Sequence, residues 1–77
     1  MEKTYLNEIK LLGLKVKSLR ESQSMTQQEL ASSCDIDIRT IQRIERGEYG
    51  FGLHILFALS NAFKIKPSNL LEDIDFG

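Results

Sequence analysis

Arg39, Gln42, Arg43 and Arg46 recur at helical spacings of three and four within the run from Ile38 to Arg46. On a helix advancing about 100° per residue, with Ile41 at zero, Ile44 falls near 300° and these four between roughly 100° and 200°. They share the face opposite Ile41 and Ile44. Ile38 and Thr40 lie on its flanks, and Glu45 lies close to the inner side. The face carries three guanidinium groups and one amide, with no acid among them. Guanidinium forks match guanine O6 and N7 in the major groove, a glutamine matches adenine N6 and N7, and Ile38 at the leading end is placed to touch a thymine methyl. The alternative is a solvated helix face, which usually carries mixed charge.

Such a face is useful only if other elements hold it. The apolar residues Tyr5, Ile9, Leu12, Val16 and Leu19 form one stripe and predict a first helix over about Thr4 to Ser22. Thr26-Gln27-Gln28-Glu29 matches a capping box, with Met25 and Leu30 as its hydrophobic staple, so a second helix should run from Gln27 to about Cys34. Asp37 is a suitable N-cap, Ile36 and Ile41 fit a second staple, and the third helix should run from Ile38 to Arg46 with Gly47 as its left-handed terminator. Asp35, Ile36 and Asp37 alone then separate the second and third helices, which is a helix, a tight turn and another helix. Leu53 to Phe63 reads as a fourth helix, with Leu53, Leu56, Leu59 and Phe63 on its core face. Pro67 suits the first turn of a short fifth helix whose Leu70, Leu71 and Ile74 pack inward, with its N-cap open between Lys66 and Ser68.

The 77 residues suffice for one domain and not two, with no repeat, low-complexity stretch or linker to divide residues 1–77. A chain this small buries a limited fraction of its surface, and self-association would help it. The 42% apolar content and near-balanced charge exclude a disordered chain. The net charge of −1 gives nucleic-acid binding no support by itself. Its distribution is uneven: Glu72, Asp73 and Asp75 lie near the end, while Arg39, Arg43 and Arg46 cluster. Local placement outweighs the sum, because screening cuts the reach of exposed charge to about 8 Å in physiological salt. Cys34 is the single cysteine, which excludes an internal disulfide, and no apolar run marks a signal peptide or membrane span. A cytoplasmic chain without membrane contact is expected.

The run Met25-Thr-Gln-Gln-Glu-Leu-Ala31 followed by Asp35-Ile-Asp-Ile-Arg-Thr-Ile-Gln-Arg-Ile-Glu-Arg-Gly47 resembles the Cro/phage-repressor, or XRE-type, helix-turn-helix family. Leu12 to Arg20 is similar to its first helix and Phe57 to Leu71 to its last two, so the likeness spans about residues 12–71. The resemblance implies an all-α, compact five-helix, lambda-repressor-like domain that binds double-stranded DNA, at palindromic operators, as a homodimer. It implies that Gln27 contacts a phosphate and braces the reading helix, that Ile38, Arg39 and Arg43 face base edges, and that Thr40 and Arg46 lie near the backbone. Arg20 and Glu45 would form an ion pair between the first and third helices. Three positions depart from the family pattern: Asp35 stands where glycine is usual, Asp37 replaces a Ser or Thr cap, and Ile38 sits where polar residues are commoner.

Other residues offer weaker signals. Cys34 suits a small core residue better than a redox sensor, since no activating group neighbours it. His54 stands alone, without a Cys/His cluster for zinc or a partnered nucleophile for catalysis. No catalytic residue, metal or cofactor is therefore expected, and no enzyme. The acidic end reads as a solvated tail. The fourth helix is more apolar than the surface helix of a monomer. Either it is central and buried on most sides, or it forms a homodimer contact with the fifth helix, and the second reading makes Ile55, Phe57 and Ala58, with Leu71 and Ile74, the expected dimer contacts. The function expected is a sequence-specific transcriptional regulator, a repressor. The alternatives are the antitoxin of a toxin–antitoxin pair, with a toxin as partner protein, and a restriction–modification controller.

Overall fold

Most helix boundaries in this chain fall where side chains or turn residues can satisfy the free backbone groups at helix ends; the starts at Leu6 and Leu53 have no side-chain cap. The computed structural model describes residues 4–75. These form five helices: α1 (Leu6–Ser22), α2 (Gln27–Cys34), α3 (Ile38–Glu45), α4 (Leu53–Phe63) and α5 (Pro67–Leu71). No strand occurs among the described residues. The all-α five-helix expectation holds, and α2 and α4 have the expected bounds.

Two boundaries differ. Tyr5 adopts a left-handed conformation with φ 55°, which interrupts the helical run, so α1 starts at Leu6 instead of Thr4. Tyr5 is consequently exposed and does not extend the inner stripe. Arg46 is the cap residue of α3 instead of its last helical residue.

The first four helices end alike. In each, a residue in the left-handed region lets two successive amides bond back into the last turn. Ser24 serves α1, Asp35 serves α2, Gly47 serves α3 and Lys64 serves α4, with φ between 55° and 73°. For α3, Gly47 N–H donates to the Ile44 carbonyl at 3.0 Å and Glu48 N–H to the Arg43 carbonyl at 2.9 Å. A side chain in this conformation costs about 1–2 kcal/mol, which three of the four sites tolerate at exposed positions. Gly47 has a second constraint, because a Cβ there would lie 2.6 Å from Cγ of Lys10.

α2 packs against α3 and α4, while α1 packs against α3, α4 and α5. The core between them is Val16, Leu30, Ala31, Ile41, Ile44, Leu56, Leu59, Phe63 and Leu70. Each large side chain buried there stabilises the fold by about 1.5–3 kcal/mol. Cys34 also belongs to this cluster, and burial raises its thiol pKa, which fits a packing role. Ser60, buried in α4, donates to the Leu56 carbonyl at 2.8 Å. Two inward assignments fail. Leu53 is 67% exposed and Leu71 is 41% exposed. Leu53 opens its helix, where the chain arriving from Gly52 leaves the first turn at the edge of the core; Leu71 ends a helix of only five residues, and that single turn buries Leu70 alone.

Gly13 sets how closely α1 approaches α3. A Cβ at this position would overlap the Ile44 carbonyl oxygen and press on the Glu45 carbonyl at 3.3 Å. Backbone atoms cannot turn aside as a flexible side chain can. Gly13→Ala is therefore expected to destabilise the domain by about 1–3 kcal/mol, the usual range for overpacking. The thermal midpoint should fall by about 4–8 °C for each kcal/mol. The exposed Ser18→Ala variant on the same helix serves as the control and should melt like the parent in a calorimetric scan.

Candidate nucleic-acid interface

The turn between α2 and α3 is fixed at both ends. The Glu29 amide donates to Thr26 Oγ1 at 3.0 Å and the Thr26 amide to Glu29 Oε1 at 2.8 Å, completing the expected capping box. Asp35 takes the left-handed position with φ 55°. Aspartate supports this conformation through its short polar side chain, so glycine is not required. Asp37 then caps α3 by accepting from the Arg39 amide at 2.7 Å. Met25 and Ile36 pack against the core, as their staple positions require.

The angle of α3 is set from its inner side. Arg20 Nε donates to Glu45 Oε2 at 2.7 Å, and Nη2 donates to Oε1 at 3.1 Å. The remaining Nη1 donates to the Met25 carbonyl at 2.7 Å. Gln27 Nε2 adds a bond to Glu45 Oε1 at 3.1 Å. Only 11% of the Arg20 side chain and 4% of that of Glu45 remain accessible. The hydrogen bond to Glu45 raises the Arg20 pKa above its ordinary value, so the charge is permanent. One carboxylate thus ties α1, the start of α2 and the end of α3 together.

The outer side of α3 presents Arg39, Arg43 and Arg46, all exposed, with Gln42 half-buried beside them. Thr40 is half-buried at the flank. Ile38 is half-buried and packs against the core, so its side chain is shared between the core and the leading end of the face. Gln27 lies at the first position of α2 with its amide on Glu45, in the bracing arrangement. Lys17, Gln27, Gln42, Glu45 and Arg46 line a shallow polar recess between α1, α2 and α3. In the sequence Lys17 has no signal beyond lying off the apolar stripe of its helix.

Two further residues come from beyond the helix. Arg46 Nε lies 3.4 Å from Glu48 Oε1 in an exposed ion pair. The Arg43 guanidinium carbon lies 5.1 Å from the Tyr49 ring centroid, a cation–π contact. The sequence signal for both was the left-handed residue at Gly47, which turns the chain back along the helix it has just left. Of the expected dimer contacts, Phe57 is 54% exposed and Leu71 is also open. Ile55 and Ala58 are half-buried against the core, and Ile74 is half-buried. Among the described residues no cluster of His, Cys, Asp or Glu could hold a metal ion, and no helix is long and apolar enough to cross a membrane.

This geometry has counterparts among known proteins. The helix-turn-helix family model matches residues 16–70. Control protein C.BamHI of Bacillus amyloliquefaciens is 38% identical over 73 residues, which cover 92% of this chain and 90% of that protein. The crystal structure of the restriction-modification controller protein C.AhdI from Aeromonas hydrophila superposes with a TM-score of 0.79 at 27% identity, covering 86% of this chain and 98% of that one. The clp gene regulator ClgR from C. glutamicum reaches a TM-score of 0.79 at 21% identity over 92% of this chain and 88% of its own, which is a likeness of fold.

The buried pair makes a clear expectation for stability. Glu45→Ala leaves the Arg20 charge without its partner and should cost about 3–5 kcal/mol in urea unfolding. The double variant Arg20→Met with Glu45→Leu leaves no charge buried and should recover most of that loss. Equal destabilisation of the single and double variants would mean that packing, and not the charge, carries the effect.

Proposed function

The chain belongs to the helix-turn-helix family, and we propose that this DNA-binding transcriptional regulator works as a homodimeric repressor at a palindromic operator and is the controller protein of a restriction–modification gene pair. The observation that carries the DNA-reading part is the exposed Arg39, Arg43 and Arg46 face on a helix whose inner side is locked by Arg20 and Glu45. The controller role is supported by the similarity to C.BamHI along 90% of that protein and by the likeness to C.AhdI over 98% of its chain.

In this reading Arg39, Gln42 and Arg43 meet base edges, with Ile38 beside them for a thymine methyl. Thr40 and Arg46 lie near the backbone, and Gln27, already oriented by Glu45, contacts a phosphate at the start of α2. Such phosphate contacts fix register without carrying sequence. Phe57 and Leu71 supply the open apolar surface for the two-fold contact, with Ile55, Ala58 and Ile74 around them. Selection of bound sites from a random DNA library tests the whole reading, since it should return a palindrome that also occurs upstream of the neighbouring restriction gene.

Arg43→Ala should relax preference at one position in each half-site and lower specific affinity by about 1–3 kcal/mol, the worth of a good bidentate base contact. Competition binding against operator variants measures this. An unchanged preference would remove Arg43 from the reading set.

Phe57→Glu should weaken operator binding without altering the reading helix. A two-fold interface brings each patch against its own copy, so the new carboxylate meets its symmetry mate. Half-sites about one helical turn, roughly 34–36 Å, apart require both protomers. The variant should keep its helical circular dichroism and sediment as a monomer. If it remains a dimer, the interface lies elsewhere.

A further inference from the structure

We infer that Tyr49 is a positioning residue for base recognition: its ring holds the Arg43 guanidinium ready for a base edge and so sets how sharply that base is discriminated. The inference rests on the reading of α3 as the helix that meets DNA. Arg43 is exposed near the end of α3, where a long side chain left alone samples many rotamers and must be ordered when it binds. Tyr49 limits that freedom, with its ring centroid 5.1 Å from the guanidinium carbon.

The ring is itself held. Gly47 takes φ 73°, and the Glu48 amide donates to the Arg43 carbonyl at 2.9 Å. The chain therefore folds back beside the very residue that Tyr49 contacts. Tyr49 is half-buried and packs against the core, so the ring cannot swing away with the arginine.

The kind of contact matters. All five N–H donors of a guanidinium lie in its plane, and a ring attracts the cation without occupying any of them. The contact thus limits the side chain's freedom without adding a competing acceptor, and the fork stays available to guanine O6 and N7. A carboxylate would do the opposite. Arg46 shows the contrast, because Glu48 lies against its Nε at 3.4 Å, an edge that a phosphate must win back. Among the described residues no ion pair engages Arg43.

The test measures discrimination at the base pair where Arg43→Ala relaxes preference. Tyr49→Leu should reduce that discrimination by about two- to five-fold, the factor expected of an exposed cation–π contact. The dependence of binding on salt should stay unchanged, since no phosphate contact is lost. Tyr49→Phe keeps the ring face and should retain discrimination. In an Arg43→Ala background Tyr49→Leu should add no further loss of discrimination. A Tyr49→Leu protein that discriminates as the parent does, or that weakens on all sequences equally, overturns the proposal. If Arg43→Ala relaxes no position, the DNA reading of Arg43 fails first and this inference falls with it, a result obtained without altering Tyr49. Should Tyr49→Leu fail to fold, proton NMR of the unaltered protein decides. Ring-shifted, upfield Arg43 side-chain protons support the contact, and random-coil shifts overturn it.

Discussion

Arg20 and Glu45 lie 25 residues apart in sequence and meet where little water reaches either charge. Both carboxylate oxygens accept from the guanidinium, and the third guanidinium nitrogen reaches the Met25 carbonyl just before α2. α3 has only eight residues, too few to be stable as an isolated helix. Its existence and its direction both come from tertiary contacts. Gly13 supplies the second of these by letting the α1 backbone lie directly on the last turn of α3. Ile41 and Ile44, fully buried, supply the apolar part. The ion pair need not add net stability in this position; it restricts α3 to one rotation, and that rotation decides which side chains face outward.

The elements were legible in the sequence wherever their ends carry local chemistry. Thr26 with Glu29, Asp37 and Gly47 each mark a boundary through bonds made within a few residues, Pro67 marks one through its fixed φ and missing N–H, and the structure places boundaries at or within one residue of them. Tyr5 and Leu53 misled because apolar periodicity says which face a residue occupies but not whether the core extends that far along the helix. Both stand at helix starts and are more than half exposed. The site was legible to the same degree. Periodicity on α3 alone sorted Arg39, Arg43 and Arg46 outward and Glu45 inward. Glu48 and Tyr49 escaped because a helical wheel ends with the helix, while the chain after Gly47 does not leave the site. Gly13 escaped because close approach of two backbones leaves no periodic trace.

Charge illustrates why placement decides more than the total. The chain is acidic by one unit, yet the acids are largely committed. Asp73 accepts from Lys15 at 2.7 Å, with Glu72 nearby, and this bond raises the Lys15 pKa. Glu29 is occupied in its capping box and Glu45 in the buried pair. Asp37 is tied to the α3 backbone. The acidic turn after α5 is thereby held to α1 instead of lying against α3. The guanidinium groups of the outer face keep their charge toward solvent, with Glu48 as the carboxylate that engages one of them.

The exposure of Leu53 bears on association. Leu53 and Phe57 stand four residues apart on α4, so they share one face, and both are more than half exposed. The apolar surface open on this helix is therefore larger than a core-facing Leu53 would have allowed. Exposure of this kind costs a small domain solubility unless something covers it. In the proposed homodimer the cover is the same face of a second protomer, and a two-fold arrangement also presents two α3 helices to one duplex. Each half-site offers few base contacts. Joining two of them makes the second contact intramolecular, with affinity well beyond either alone. Operator occupancy then depends on the monomer–dimer balance as well as on base recognition.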